Sequence, residues 1–516
     1  MKNLAHTHEL RQVVTRSVAA LLLVAIAGSL GMARAKGYSD AEKLILRQAA
    51  IGKEAVLDVF TPQERTIRAE FLVPLLMGKL VGVSVSHEGV MITHATIQGR
   101  LGLAGAQLPY AVWLNQCEFL GDVDLSHSHL HADLSMVGSR FRGDVDLDGL
   151  QADGNVVLNM AKFDGVFDLS DSQINGNLEA SGTNFAGRDG ISAQFNNIKV
   201  TKRADLDHMT IAVPLILDGA ESQILTLGAI ASDYSVPELR GKNGPYVAKR
   251  INLSHSVIHR ELRIAGMQIE SLQASGIKVE GVAALEHVHI KGDADLSHSQ
   301  LFDLALADDV TWPDKEDQLV LTGIFFQYIS PETHTGAAPQ DSTKEDAKWK
   351  KLSEWVDHAS YTTAPYQQLE DTLRREGRVD QANDIFKRGQ QRAWSHGSLG
   401  LKGKLKNFFL HWLIGYGREP QQAFFWAIPV VLFGWFLFRR REDVQPREAK
   451  DQERPYDPLW YSLDLFLPLS TLQAADVWIP RQDSRFRRYY ARVHSILGWI
   501  LVPIGLAAVT GLISGK

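Results

Sequence analysis

The sequence predicts a mainly β protein: a right-handed quadrilateral β-helix with N-terminal capping helices, a helical hairpin and two C-terminal transmembrane helices. Three observations predict this fold. A repeat of 22 residues runs through the middle of the chain, five-residue units recur within it, and two apolar segments lie near the C-terminus. A fixed period of about 20 to 50 residues is typical of solenoids, in which each turn buries its apolar side chains against its neighbours.

The repeat is clearest in the predicted β-helix, residues 86–330, where an aromatic, a glycine and an acidic position return together. Four apolar positions in each period predict a coil with four sides, as in the first clear coil: Phe119, Leu125, Leu130 and Leu134. The returning residues are Phe119, Phe141, Phe163 and Phe185; Gly121, Gly143, Gly165 and Gly187; and Asp124, Asp146 and Asp168.

The five-residue units share a small or β-branched residue, a polar residue and then leucine. Six of them make the pattern specific, and glycine at a fixed place suits a sharply bent corner. The cadence blurs between about 187 and 249, where a loop is expected. The units are VDLSH (123–127), ADLSM (132–136), VDLDG (145–149), ADLDH (204–208), INLSH (251–255) and ADLSH (294–298).

The N-terminal region predicts a signal followed by a cap. In 1–35, basic residues and an apolar run precede Ala33-Arg34-Ala35, which is the pattern of a secretory signal peptide, with an uncleaved anchor as the alternative. In 36–85, the capping boxes Ser39 to Glu42 and Thr61 to Glu64 predict two short helices that cover the open end of the β-helix.

The region after the β-helix predicts helices. Apolar spacing on both sides of Gly377 predicts a helical hairpin over 345–395, which either offers a docking surface or covers the C-terminal end of the solenoid. An interfacial amphipathic segment is expected over 400–422.

Two apolar segments, 423–438 and 496–513, predict transmembrane helices, with a buried helix pair as the alternative. The basic loop between them, 439–495, is expected in the cytoplasm and to contain a re-entrant or amphipathic helix. Together with the signal peptide, this topology predicts a bacterial inner-membrane protein with its β-helix in the periplasm.

Composition limits the chemistry. The chain has 516 residues, a formal net charge of -6 and one cysteine, Cys117. A single cysteine excludes an intramolecular disulfide framework and a multi-cysteine metal site. The modest charge gives no sign of binding to nucleic acid.

Ordered phrases recur in both halves of the chain: IRAEFLVPLLMG (67–78), IQGRLGL (97–103), AQLP (106–109), CEF (117–119), PYQQLEDTLRREGRVDQA (365–382), GYGREP (415–420) and YSLDLFLPL (461–469). Together they resemble a family of bacterial pentapeptide-repeat membrane proteins. Some members of that family are labelled membrane-associated oxidoreductases, but the chain has no G-x-G-x-x-G, paired cysteines or haem motif. Some pentapeptide-repeat proteins carry a two-helix ion channel, whose T-x-G-Y-G-like filter is absent from DPLWYSLDLFLPLSTL (457–472).

Few residues suggest a site. His127, His129 and His131 form H-x-H-x-H, which could bind zinc or copper on a strand, or could be the outward side of a repeat. The column of Asp124, Asp146 and Asp168 would stack carboxylates about 5 Å apart, which could favour a bound cation or form a solvated face.

The apolar loop around Asp464 adds one more candidate, because an ionisable group near lipid is by default functional. No catalytic residue and no cofactor is predicted. The leading hypothesis is a binding or scaffold module of the cell envelope, with membrane lipid, an envelope protein and a second copy of the chain as expected partners. A two-helix pore and a membrane-associated enzyme are the alternatives.

Overall fold

The computed structural model describes residues 37–186, 193–228, 246–307, 309–330, 349, 352–396, 402–403, 422–467 and 474–509. The predicted signal peptide (1–35) and nearly all of the predicted interfacial segment (400–422) lie outside the described residues. The chain forms two compact units, Met1–Glu376 and Gly377–Lys516.

The first unit is a β-solenoid of about ten turns, which confirms the predicted β-helix; its right-handed sense stays a prediction. The coils of this part are built from short strands, most of them two residues long, and each strand pairs in parallel with the strand one coil away. The strands of the regular part are Ala55–Val56 (β1), Thr66–Arg68 (β2), Val90–Thr93 (β3), Thr96–Gln98 (β4), Leu101–Gly102 (β5), Gln107–Leu108 (β6), Val112–Asn115 (β7), Glu118–Phe119 (β8), Val123–Asp124 (β9), His129–Leu130 (β10), Leu134–Ser135 (β11), Arg140–Phe141 (β12), Val145–Asp146 (β13), Gln151–Ala152 (β14), Val156–Val157 (β15), Lys162–Phe163 (β16), Phe167–Asp168 (β17), Gln173–Ile174 (β18), Leu178–Glu179 (β19), Asn184–Phe185 (β20) and Ala193–Gln194 (β21).

From residue 199 onward several strands continue around a corner and reach seven to nine residues. The strand Lys199–Asp207 (β22) pairs with β18 through Val200 and with β19 through Ala204, so it belongs to two sides of the coil. We call the side formed by 203–207 and its partners in Glu221–Gly228 (β25), Val257–Ala265 (β27) and Lys278–Glu286 (β29) the long-strand wall. The strands of this part are Lys199–Asp207 (β22), Thr210–Ile211 (β23), Leu215–Ile216 (β24), Glu221–Gly228 (β25), Tyr246–Asn252 (β26), Val257–Ala265 (β27), Met267–Gln273 (β28), Lys278–Glu286 (β29), His289–Ile290 (β30), Ala294–Asp295 (β31), Gln300–Leu306 (β32), Leu319–Val320 (β33) and Phe325–Ser330 (β34).

The interior consists of stacked side-chain columns. Phe119, Phe141, Phe163 and Phe185 are buried, and successive ring centroids lie 4.6, 4.8 and 5.1 Å apart with nearly parallel planes. Parallel pairing in register places the same residue type one coil above another. Each ring is therefore buried by the neighbouring coils, which is how a coil too small to form its own core becomes stable.

The N-terminal end is covered by α1 (Asp40–Ile51) and α2 (Ala69–Leu76), which contact the first strands. The capping box at α1 is formed, because Glu42 N donates to Ser39 Oγ at 3.2 Å and Ser39 N to Glu42 Oε2 at 3.0 Å. The second predicted helix is displaced. Thr61 N donates to Glu64 Oε2, but the chain makes only a turn there, since 66–68 joins the parallel ladder of β4.

The C-terminal end of the solenoid is covered by α3 (Ala364–Arg375). Gln368 Nε2 donates to the carbonyl oxygen of Phe326 at 2.7 Å, and the Trp355 ring lies 6.4 Å from that of Phe326. Gly377, with φ +80°, follows α3, and α4 (Val379–His396) begins the second unit. Both helices of the predicted hairpin are thus present, in different compact units.

The second unit contains α5 (Gln422–Leu437), α6 (Pro458–Phe466), α7 (Ala474–Val477) and α8 (Arg485–Val509), with an antiparallel pair β35 (Val444–Pro446) and β36 (Trp478–Pro480). Small residues allow α5, α6 and α8 to approach closely. Ser462 Oγ donates to Val431 O at 2.7 Å, and His494 Nε2 donates to Ser462 O at 2.9 Å. A Cβ added at Gly434 would collide with both Ser462 and His494.

The two predicted transmembrane helices, 423–438 and 496–513, are wrong. In the part of the chain that the structure describes, no helix is both long enough and apolar enough to cross a membrane. Helix α8 has 25 residues, but its first part carries Arg485, Arg487, Arg488 and Arg492.

Candidate functional site

One corner of each coil is held by a residue in the left-handed backbone region, and His127 is such a residue, with φ +54°. Its Nδ1 lies 3.1 Å from the carbonyl oxygen of Asp148, and its ring covers Gly149 in the next coil. His127 is therefore placed by the corner of the repeat. The corner column is Gly105, His127, Gly149, Asp171, Asn197, Gly219, His255, Gly276, His298 and Gly323.

Alanine at Gly149 is expected to destabilise the solenoid by about 1–2 kcal/mol, because an L side chain is strained at positive φ. In addition, its Cβ would lie 3.0 Å from Nδ1 of His127. Gly105→Ala is the matched control, since φ there is +64° and a Cβ would meet nothing within 4 Å. Urea unfolding should show a larger loss for Gly149→Ala than for Gly105→Ala. An equal loss of stability in the two variants would mean that the contact between the new Cβ and the His127 ring adds nothing to the destabilisation.

His129 and His131 converge on a carboxylate that sequence reasoning missed, Asp153. His129 Nε2 and His131 Nδ1 each lie 3.2 Å from the same oxygen, Asp153 Oδ2, and the two rings are 4.1 Å apart. These hydrogen bonds lower the pKa of Asp153. Within the described residues, this is the one group of three histidine, cysteine, aspartate or glutamate side chains that could hold a metal ion.

The repeat itself builds this group. His129 and His131 are two residues apart, so their side chains leave the same face of the coil. His131 N donates to Leu108 O at 3.0 Å and Asp153 N to Leu130 O at 2.9 Å, which fixes the backbone on both sides. Because the period is 22 residues, Asp153 occupies in the next coil the place that His131 occupies in its own.

The predicted aspartate column is present and has a structural role. Asp124, Asp146 and Asp168 are Cα partners in adjacent strands. In each, Oδ1 accepts the backbone N–H two residues further on, at 3.1, 3.0 and 2.9 Å respectively. This is the local turn that short acidic side chains stabilise. The carboxylates therefore hold their own corners, and Asp124 is also paired with Arg100 at 2.6 Å.

Asp464 lies in the second unit, where it is buried. Its Oδ2 accepts the N–H of Ala475 in α7 at 2.7 Å. This contact gives Asp464 a role in joining α6 to α7.

A second group that sequence reasoning missed lies on the outer face of the long-strand wall. We call Asp205, Asp207, Thr226, Arg263 and Glu286 the polar patch. Asp205, Thr226 and Arg263 are Cα partners in adjacent strands. Asp207 and Glu286 belong to the row of partners that lies two residues further along the same strands.

Four side-chain atoms of the polar patch are buried and make no hydrogen bond of full geometry in the described part of the chain: Asp207 Oδ1, Thr226 Oγ1, Arg263 Nε and Glu286 Oε1. The carboxyl group of Asp207 does interact with the side chains of Thr226 and Asp205. Asp205 is satisfied, because it accepts from Ser181 Oγ at 2.7 Å and from Asp207 N at 3.1 Å. Arg263 Nη2 lies 3.4 Å from Glu286 Oε1, and both side chains are partly exposed. Buried polar groups are normally paired, so orphaned ones point to a missing ligand or to stored strain.

Burial, with the negative charge of Asp205 as the next cause, raises the pKa of Asp207 to about 8. A carboxyl group whose pKa is raised this far can hold a proton near neutral pH, and its neighbours here are the side chains of Asp205 and Thr226. Perturbed carboxyl groups of this kind cluster at functional sites, although structural networks also produce them.

No family model, curated protein or solved structure matches the chain. The resemblance to the pentapeptide-repeat family therefore stays a prediction.

Proposed function

We propose that the protein is a binding scaffold of the bacterial cell envelope, which holds an uncharged, polyhydroxylated ligand such as an envelope glycan against the polar patch. The observation that supports this most directly is the set of buried side-chain atoms that make no hydrogen bond of full geometry, among them Asp207 Oδ1 and Thr226 Oγ1. An unmade hydrogen bond at a buried group costs about 1–3 kcal/mol. Because Asp207 and Thr226 are only 4% and 2% exposed, a ligand recovers that free energy only where it opens the patch and reaches these atoms.

The chemistry of the patch favours a neutral ligand. Protonated Asp207 and the guanidinium of Arg263 donate hydrogen bonds, Glu286 accepts them, and the hydroxyl of Thr226 does both. Positive and negative charges are present together in the pair Arg263–Glu286. A phosphate or carboxylate ligand would require an excess of positive charge, whereas sugar hydroxyls match alternating donors and acceptors.

The setting supports the same proposal. The signal-like pattern of 1–35 would deliver the solenoid to the compartment in which envelope glycans lie. Caps at both ends leave the sides of the coils as the surface for binding. An envelope protein or a second copy of the chain, both expected from the sequence, would also have to bind these sides.

Co-sedimentation of the full chain with purified bacterial sacculi tests the proposal. Thr226→Val keeps the β-branched shape but removes the hydroxyl, and it is expected to weaken binding about tenfold, the equivalent of about 1.4 kcal/mol. The matched control is Thr210→Val, because Thr210 is exposed on β23, in the other large sheet. The control variant should bind as the unmodified chain does.

Two results would overturn the proposal. One is the absence of co-sedimentation by the unmodified chain. The other is equal binding by Thr226→Val, Thr210→Val and Asp207→Ala, with each variant shown to be folded by circular dichroism.

A second candidate is an enzyme that acts on the same ligand class. Asp205 and Asp207 lie two residues apart on one strand, and the pKa of Asp207 is raised to about 8 by burial, which suits a carboxyl group to act as a general acid. Asp207 would donate the proton. Release of reducing ends from sacculi that is lost in Asp207→Asn would favour this candidate, whereas binding without release supports the scaffold.

A further inference from the structure

The cluster of His129, His131 and Asp153 lies on the regular part of the solenoid and shares no residue with the polar patch. Three ligand atoms of the cluster lie within 4.8 Å of one another: one imidazole nitrogen from each histidine and one carboxylate oxygen. The two nitrogen-to-oxygen distances are both 3.2 Å.

These separations match those around a single metal ion. In a tetrahedral site with ligands about 2.0–2.1 Å from the metal, neighbouring ligand atoms are about 3.3 Å apart. One carboxylate oxygen now accepts hydrogen bonds from two imidazole N–H groups. An ion at the centre would replace both protons without moving the backbone, because that backbone is already fixed by the ladders of β10 and β14.

The surrounding residues orient the ligands. His131 uses Nδ1 toward Asp153, and its Nε2 lies 3.1 Å from Gln107 Oε1 in the preceding coil. The amide oxygen of Gln107 accepts the second ring proton and so leaves Nδ1 free of its proton when a metal is bound. On the other side, Asn175 Nδ2 donates to Asp153 Oδ1 at 3.3 Å. Hydrogen bonds of this kind fix the tautomer of a metal-bound histidine and the orientation of a carboxylate.

We infer that His129, His131 and Asp153 form a site for a divalent transition-metal ion of the zinc, copper and nickel class. Two imidazoles favour this class over magnesium or calcium, which prefer oxygen ligands. The three side chains are partly exposed, so an ion can enter and a water molecule can complete its coordination. Compared with the pattern predicted from H-x-H-x-H, Asp153 takes the place of His127.

The test uses Zn²⁺ as the probe, with the full chain, equilibrium dialysis and elemental analysis. We expect one Zn²⁺ per chain at pH 7.5, at least tenfold weaker binding in His129→Ala and in Asp153→Asn, and unchanged binding in His127→Ala. His127 is the matched control, because it lies two residues from His129 but contacts Asp148 instead. Gln107→Ala should weaken binding about tenfold, as loss of an orienting residue does.

Zn²⁺ should also bind more weakly as the pH is lowered, since metal binding requires ligand nitrogens without protons. The inference is overturned if the unmodified chain retains no Zn²⁺ or if His127→Ala weakens binding as much as His129→Ala. It is also overturned if Asp153→Asn leaves the affinity unchanged. Each of these results leaves the glycan proposal untouched, because the polar patch shares no residue with this site.

Discussion

Replacing Phe141 with alanine is expected to destabilise the solenoid by about 3–5 kcal/mol. The ring is fully buried between those of Phe119 and Phe163, whose centroids lie 4.6 and 4.8 Å away. The cavity cannot easily collapse, because hydrogen-bonded ladders hold neighbouring coils at the strand spacing. Urea unfolding followed by the β-sheet circular dichroism signal measures the loss, and amide exchange should accelerate most in coils next to residue 141.

Phe325→Ala provides the control for this prediction. The change in chemistry is the same, but Phe325 is 46% exposed, and surface substitutions usually change stability by less than about 0.5 kcal/mol. Comparable losses in the two variants would contradict the view that the phenylalanine column stabilises the stack. In that case the backbone ladders alone would hold the coils together.

The coil could be predicted because parallel strands in register place residues one period apart side by side. Phe119 and Phe141, or Asp124 and Asp146, are 22 residues apart in sequence and are direct neighbours in the structure, so their spacing predicts their contact. The sequence predicted that the aspartates stack one above another, but it did not predict that each carboxylate stabilises the turn that follows it. That role depends on the N–H group two residues onward, which no side-chain pattern reveals.

The same 22-residue spacing also predicts the metal ligand that the sequence analysis missed, Asp153. His131 plus one period is Asp153, so the register predicts that carboxylate beside the histidine. The prediction instead grouped three histidines by their spacing on a flat strand. His127 departs from that strand because it lies at a corner with φ +54°, and a corner ends the alternation of side chains on which the H-x-H-x-H argument depended.

The C-terminal segments illustrate what hydropathy does not determine. The count of apolar residues over 423–438 and 496–513 considers each segment by itself. Close contacts at Gly434 and Gly498 bring α5, α6 and α8 together. Such contacts depend on how three separated segments pack, which no single window of sequence reports.

The polar patch escaped prediction because the regular period fails where it forms. Between about 187 and 249 the cadence changes, so the partners of Asp205 and Asp207 could not be assigned by adding 22. One signal was available: in KVTKRADLD (199–207), Arg203, Asp205 and Asp207 alternate and therefore share a face of one strand. Three charged residues on one face mark a surface that differs from the rest of the solenoid.

Asp207→Asn is expected to stabilise the protein at pH 8 and to leave its stability nearly unchanged at pH 4. The folded pKa of Asp207 is about 8, whereas an aspartate in an unfolded chain has a pKa of about 3.9. Between these values the unfolded chain releases a proton that the folded chain retains, so stability falls as the pH rises. Each unit of difference corresponds to about 1.4 kcal/mol, and the sum is several kcal/mol.

The measurement is the difference in free energy of unfolding between variant and unmodified chain at several pH values. That difference should grow from pH 4 to pH 8, because only the unmodified chain must bury a carboxyl group that prefers to ionise. Asp205→Asn should narrow the pH range over which the stability of the chain changes, because it removes the neighbouring negative charge, whereas Asp207 remains buried. A difference that does not change with pH would mean that Asp207 ionises as freely in the folded chain as in water, and the polar patch would then lack the proton donor that the proposed ligand requires.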